Sequence, residues 1–166
     1  VKAFFDAVYG ATPAEVRVNL TAVPFCGVKV PFNSQNGAAQ ALAAAGEELG
    51  GLLAARPDLK PYLVPPGGSY KWRKIARTGR PSPHSWGIAL DLNPRRGKYW
   101  QWSRSGEGAG KSGLRRAYPP EIIAIFEKHG FIWGGKWSHF DLMHFEYRPE
   151  LILKARMRET GAGGQE

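Results

Sequence analysis

The chain has 166 residues, 43% of them hydrophobic, and its 23 Lys and Arg outnumber 14 Asp and Glu to give a formal net charge of +9 at pH 7. No apolar run approaches the roughly 18 residues that a membrane span requires, and the single cysteine, Cys26, excludes an internal disulfide and a thiolate metal cluster. The length predicts one domain, and the positive charge favours anionic partners.

The first third of the chain predicts helices and one strand. Residues 1–10 hold a short apolar run that indicates a small helix, and Thr12 to Glu15 has the form of a capping box. Val28 to Phe32 is typical of a strand. We expect Asn36 to cap an Ala- and Leu-rich helix that runs to about Arg56.

The middle of the chain contains an alternating segment. A Pro- and Gly-rich connection leads into Tyr70 to Arg73, which we interpret as a short strand. From Gly87 to Asn93 apolar side chains alternate with small or polar ones. Asp91 therefore points away from the apolar face of this strand.

The last third predicts a helix from Pro120 to Gly130, strands at Phe131 to Trp133 and Met143 to Tyr147, and a final helix from Pro149 to about Arg158. The order of elements lacks regular βαβ units and a Gly-rich phosphate loop. It favours an α+β fold with a small antiparallel sheet flanked by helices. We expect one domain over residues 1–159 and a disordered tail over residues 160–166.

Residues 95–117 form a Gly- and Ser-rich stretch with seven basic side chains and one acidic one, Glu107. It is interpreted as a flexible basic loop. With Tyr99, Trp100 and Trp102 it either borders a binding cleft or is simply a solvated loop.

Two short segments carry the candidate chemistry. His84 lies seven residues before Asp91, across a turn begun by Pro83, and Asp141 is followed three residues later by His144. Two histidines and one carboxylate can hold zinc and leave a fourth position open, as in catalytic zinc sites. If Asp141 and His144 are both to reach the metal, a turn or bulge near Asp141 is required.

Several assignments stay open on spacing alone. Asp141 or Glu146 can serve as the proton acceptor, and Glu146 can instead orient His144 through a hydrogen bond. His139 is a rival ligand. His129, in the last turn of a helix, is interpreted as structural.

Two further residues are candidates for substrate contact. Arg73 can bind a substrate carboxylate or stabilise an oxyanion, or it can be a surface arginine. Ser82 can hydrogen-bond to substrate or cap the turn that follows it.

These motifs resemble the D-alanyl-D-alanine carboxypeptidase and L-alanyl-D-glutamate endopeptidase family of zinc peptidases, which includes vancomycin-resistance carboxypeptidases and phage endolysins. The resemblance covers roughly residues 65–150. It implies the fold shared with the hedgehog signalling domain, one zinc ion per chain held by His84, Asp91 and His144, and Asp141 as general base and acid. The same resemblance implies that Arg73 polarises the carbonyl or holds a carboxylate and that Ser82 contacts substrate.

The resemblance implies hydrolysis of amide bonds in peptidoglycan stem peptides. We also expect Trp137, within the matching Gly134 to Trp137 segment, to bind substrate. Relatives often carry glutamate at the position of Asp141. The shorter aspartate is seen in the endopeptidase branch, and it therefore favours that branch for this chain. Residues 1–60 lie outside the resemblance and are expected to complete the core.

Two other functions are compatible with the sequence. One is a catalytically inactive zinc-bearing binding or signalling module of the same fold, against which Asp141 and Arg73 argue. The other is a basic nucleic-acid binder, which the absence of a nucleic-acid motif disfavours. We therefore expect no nucleic-acid partner, no membrane span and a monomer that is periplasmic, secreted or cell-wall associated in a bacterium, or a phage lysis protein.

Overall fold

The computed structural model describes residues 1–75, 78–97 and 118–161. The α-helices in these ranges are α1 Lys2–Tyr9, α2 Pro13–Val18, α3 Ala38–Ala55, α4 Lys60–Leu63, α5 Pro120–Lys128 and α6 Pro149–Gly161. The strands in the same ranges are β1 Leu20–Phe25, β2 Val28–Asn33, β3 Ala89–Asp91, β4 Phe131–Trp133 and β5 His144–Tyr147.

The strands form two antiparallel sheets, so the predicted α+β class is confirmed. β1 and β2 pair as a hairpin. The other sheet has the order β3-β5-β4, with β5 in the centre. In its register Asp91 lies opposite His144, and Trp133 lies opposite Phe145.

β1 is an element that the sequence reasoning missed. Cys26 and Gly27 form the turn of the hairpin with φ angles of 47° and 89°. Two consecutive positive φ angles are typical of the type I′ turn that suits the twist of paired strands. Pro24 lies inside β1, where a proline argues against a strand, so the pattern before the turn was hard to interpret.

One hydrophobic core joins the hairpin, α3, α5 and the three-stranded sheet. Leu42, Ala45 and Leu49 of α3 are fully buried. Phe126 of α5 stacks on Phe145 of β5 with ring centroids 4.2 Å apart, and it also lies 6.1 Å from Phe25 of the hairpin. The hairpin and α3 therefore support the back of the sheet whose other face carries Asp91.

Two local predictions are wrong. Asn36 does not cap α3, because it lies in a 3₁₀ turn with φ 53° and Gly37 precedes the helix. The Asn36 side chain instead donates to the Tyr9 hydroxyl at 3.1 Å. Tyr70 to Arg73 is not a strand, because its backbone N–H groups bond to the turn at His84 rather than to a neighbouring strand.

The capping box is confirmed with one difference. The Thr12 hydroxyl accepts from the N–H of Glu15 at 3.3 Å, while the Glu15 carboxylate reaches back to the N–H of Ala11 rather than of Thr12. At the other end of the chain, α6 continues to Gly161, three residues beyond the predicted end at Arg158.

The proposed basic loop lies mostly outside the described residues, as do its aromatic members Tyr99, Trp100 and Trp102 and the tail from residue 162. In the ranges that the structure covers, no helix combines the length and apolar character needed to cross a membrane.

Candidate metal centre

Two of the candidate ligands are neighbours across the β3–β5 pair. Ile88, Leu90 and Leu92 are fully buried in the core, and Asp91 lies on the other face, as the alternation predicts. Register places His144 directly opposite Asp91. The distance from His144 Nδ1 to Asp91 Oδ1 is 2.9 Å.

His84 reaches the same point from a 3₁₀ turn, Pro83–Trp86. The Ser82 hydroxyl caps this turn by accepting from the His84 N–H at 3.4 Å. Gly87 ends it with φ 66°, and a Cβ there would come within 2.6 Å of a Leu20 methyl group. The turn therefore returns the histidine over the small-residue face of β3, where His84 is only 3% exposed.

Three ligand atoms meet at one point. His84 Nε2 lies 3.2 Å from Asp91 Oδ1 and 3.2 Å from His144 Nδ1, and the third side of this triangle is the 2.9 Å distance between Asp91 and His144. In a tetrahedral zinc site with metal–ligand distances of about 2.0 Å, neighbouring ligand atoms lie about 3.3 Å apart. Slight outward movement of the three side chains thus accommodates the ion.

Hydrogen-bond partners assign the tautomer of His84 and hold the His144 ring between two carboxylates. His84 Nδ1 lies 2.8 Å from the Ser69 carbonyl oxygen, which can only accept, so Nδ1 carries the proton. Both ring nitrogens of His144 face carboxylate oxygens, because Nδ1 lies 2.9 Å from Asp91 Oδ1 and Nε2 lies 3.4 Å from Glu146 Oε2. The Nε2 lone pair of His84 therefore faces the same space as His144 Nδ1 and the Asp91 carboxylate, and a cation bound there would take the place of the proton on His144 Nδ1.

The electrostatics also favour a cation. Burial by itself would raise the pKa of Asp91, but the close contacts with His144 and His84 outweigh it and hold the pKa below its usual range. Burial disfavours the charged form of His144, yet hydrogen bonds with Asp91 and Glu146 prevail and raise its pKa to about 10. Positive charge is thus stabilised between these carboxylates.

Asp141 lies beside the cluster in a turn, as the spacing required. Its backbone oxygen accepts from the His144 N–H at 3.3 Å, and its own N–H donates to the Gly134 oxygen at 3.1 Å. A Cβ at Gly134 would lie 2.7 Å from the Asp141 oxygen, so only glycine permits this approach. Burial raises the pKa of Asp141 to about 6.

One oxygen of Asp141 is unusual. Oδ1 is buried and has no hydrogen-bond partner within the part of the chain that the structure describes. A buried, unpaired carboxylate oxygen is costly unless a ligand or proton completes it. It is therefore an acceptor available to a group that enters the site.

A cleft of about 1220 Å³ opens over this cluster. Its walls include every predicted site residue except His84, namely Arg73, Ser82, Asp91, Trp137, Asp141 and His144. The Trp137 ring lies 5.4 Å from the His144 ring. No described side chain bonds to the guanidinium of Arg73, which is exposed.

The rival residues lie elsewhere or in other roles. His139 is exposed on the cleft wall and is not part of the three-residue ligand cluster. His129 bonds to Glu48 at 2.8 Å, which agrees with its structural interpretation. Glu146 is 4% exposed and contacts His144, the orienting arrangement considered from the sequence.

Two contributors were missed. Ser69 acts through its backbone carbonyl, for which no side-chain pattern exists. Arg148 donates to Glu146 Oε1 at 2.8 Å, and its i+2 spacing from that residue on an extended chain is the signal that was available.

The site combines a three-residue cluster that could hold a metal ion with a buried carboxylate in an open cleft. Residues 76–147 match the model of a family described as D-alanyl-D-alanine carboxypeptidase. The match covers less than half of the chain and confirms the suspected resemblance to this peptidase family. A comparison with curated proteins gives no match.

Proposed function

We propose that the protein is a zinc-dependent peptidase that hydrolyses amide bonds in the stem peptides of peptidoglycan. The observation that carries this proposal is the convergence of three metal-ligand atoms beside the unpaired oxygen of Asp141 in a large cleft. The family match supports the peptide substrate. Hydrolysis needs an activated water and a proton carrier, and this site offers residues for both.

In this proposal His84, Asp91 and His144 hold the ion, one per chain. When bound, zinc lowers the pKa of a coordinated water toward about 7 and polarises a carbonyl as a Lewis acid. Ser69 and Glu146 keep the two imidazoles oriented, each by accepting the proton of the nitrogen that faces away from the site.

Asp141 is the proposed general base and acid. Its Oδ1 takes a proton as the water attacks the scissile carbonyl and returns it to the leaving amine nitrogen. A partner within the protein would compete for this proton, and Oδ1 has none among the described residues. Glu146 is less suited to this task, because Arg148 and His144 already engage its two oxygens.

Substrate binding is proposed for three cleft residues. The exposed Arg73 guanidinium can hold a substrate carboxylate or stabilise the oxyanion of the tetrahedral intermediate. Trp137 offers an apolar surface next to His144. Ser82 lines the cleft although its hydroxyl also caps the His84 turn, so its contact with substrate would be shared with that structural role.

Two bonds are candidates for cleavage, the D-alanyl-D-alanine bond and the L-alanyl-D-glutamate bond. Aspartate at position 141 is the feature that favours the second. Either substrate implies action in the periplasm, outside the cell, at the cell wall or during phage lysis, and we propose that the chain acts there as a monomer with no nucleic-acid partner.

The experiment that tests the proposal is mass spectrometry of purified muropeptides after incubation with the zinc-loaded protein. Matched controls are the same protein with excess chelator and the Asp141→Asn variant. We expect a zinc-dependent product that is lost in both controls. Loss of only a terminal D-alanine would identify a carboxypeptidase. A cut in the bond between L-alanine and D-glutamate would identify an endopeptidase. Absence of any zinc-dependent product would overturn the proposal in favour of the inactive zinc-bearing module.

A further inference from the structure

A chain of side chains runs from His144 away from the ligand cluster. His144 Nε2 faces Glu146 Oε2 at 3.4 Å, and Glu146 Oε1 accepts from an Arg148 guanidinium nitrogen at 2.8 Å. Glu146 is 4% exposed. Its negative charge is therefore buried between an imidazole and a guanidinium.

The arginine is itself held on two sides. Its Nε donates to Glu150, the second residue of α6. Its guanidinium carbon lies 5.0 Å from the centre of the Phe5 ring of α1, a cation–π distance. Its backbone N–H donates to the Gly130 oxygen at 2.9 Å.

Helix α1 also contacts the turn that carries the other histidine. The Phe5 ring lies 4.9 Å from the ring of Trp86, the last residue of the 3₁₀ turn that carries His84, and the Trp86 indole donates to Asp6 at 3.2 Å. The N-terminal helix thus lies against the supports of both imidazoles, although residues 1–75 are outside the segment matched to the family.

We infer that Glu146 and Arg148 are positioning residues that hold His144 as a metal ligand, and that α1 fixes this arginine through Phe5. Glu146 keeps the ring proton on Nε2, so that the Nδ1 lone pair faces His84 and Asp91. Arg148 compensates the buried charge of Glu146, without which the carboxylate would turn toward solvent or away from the ring. This inference rests on the zinc site of the proposed function.

The test measures zinc affinity by competition with a chromophoric chelator, on variants whose fold is checked by circular dichroism. We expect Glu146→Gln and Arg148→Met each to weaken zinc binding about 10- to 100-fold, the usual effect of losing a group that orients a ligand. Arg148→Lys, which retains a cation, should bind zinc with an affinity between those of Arg148→Met and the wild type.

A matched control is Glu48→Gln. It removes a carboxylate that lies 2.8 Å from another histidine, His129, outside the ligand cluster and the cleft lining, and zinc affinity should not change. Wild-type affinity in both folded Glu146→Gln and Arg148→Met would overturn the inference. Equal affinity in Arg148→Lys and Arg148→Met would also overturn it, because the arginine would then act through packing alone.

A second measurement does not depend on variants that fold. Nitrogen-15 NMR of the zinc-loaded wild type should show His144 protonated at Nε2 and coordinated through Nδ1, and the reverse pattern would contradict the inference. The outcomes separate it from the proposed function: tight zinc binding without muropeptide cleavage defeats only the function, whereas cleavage with unchanged affinities in the variants defeats only the positioning role.

Discussion

Two parts of the molecule differ in whether their ionisable side chains lie at the surface or are buried. In the scaffold part, residues 1–63, ion pairs lie at the surface, as in Arg56 with Asp58, whose side chains are 47% and 60% exposed. Its fully buried polar residue, Asn33, donates to the backbone carbonyls of Tyr9 and Trp86. This part therefore gains stability from apolar burial and satisfied hydrogen bonds.

The sheet part, residues 82–147, instead buries ionisable groups together. His84, His144 and Glu146 are each at most 6% exposed, and Asp141 leaves a buried oxygen without a partner in the described residues. Burying such groups costs free energy unless each has a partner of opposite charge or a hydrogen bond. Clusters of buried ionisable groups are commonly found at functional sites. The difference between the two parts therefore indicates where the functional site lies.

The largest expected effect is loss of zinc when one of the buried ligands of the sheet part is removed. His84→Ala should abolish stoichiometric zinc binding and all zinc-dependent hydrolysis, because it removes one corner of the ligand triangle. Metal content of the purified variant measures this outcome. His129→Ala is the matched control, since that histidine bonds to Glu48 outside the cleft, and it should retain one zinc per chain. Full zinc content in the His84 variant would refute the ligand assignment.

A scaffold mutation should have the opposite signature. Leu42→Ala, at a fully buried position of α3, is expected to lower the free energy of unfolding by about 2–5 kcal/mol through lost burial and a cavity. Zinc affinity of the folded fraction should stay unchanged. Urea denaturation and chelator competition on the same sample measure the two quantities, and a parallel fall in both would show that the parts are not separable.

The smallest of the three effects separates metal binding from proton transfer within the site. Asp141→Asn should keep the zinc ion and lose at least about 10²-fold in turnover, or about 2.7 kcal/mol in the activation barrier, as expected for a positioned acid and base. Steady-state kinetics with metal analysis tests this. Arg17→Ala, an exposed change on α2, serves as the neutral control. If Glu146→Gln abolished turnover while keeping zinc and Asp141→Asn did not, the roles of the two carboxylates would be exchanged.

Prediction from sequence worked where one local rule decided the outcome. The alternation from Gly87 to Asn93 placed Asp91 on the face opposite the core, and Pro120 and Gly130 marked α5 correctly. Prediction failed where contacts with residues distant in the sequence determined the local structure. Asn36 is a residue type that often caps helices, but its side chain donates to the Tyr9 hydroxyl instead. Pro24 argued against a strand that nevertheless forms beside the turn at Cys26 and Gly27.

The sequence by itself determined which residue types could bind a metal, the α+β class and the need for a turn at Asp141, because residue chemistry and side-chain periodicity are local. Only the tertiary structure decided that His84, Asp91 and His144 share one point, that Ser69 and Glu146 orient the rings, and that α1 supports Arg148. Those relations depend on strand register and on contacts between residues far apart in the chain, which no spacing along the sequence encodes.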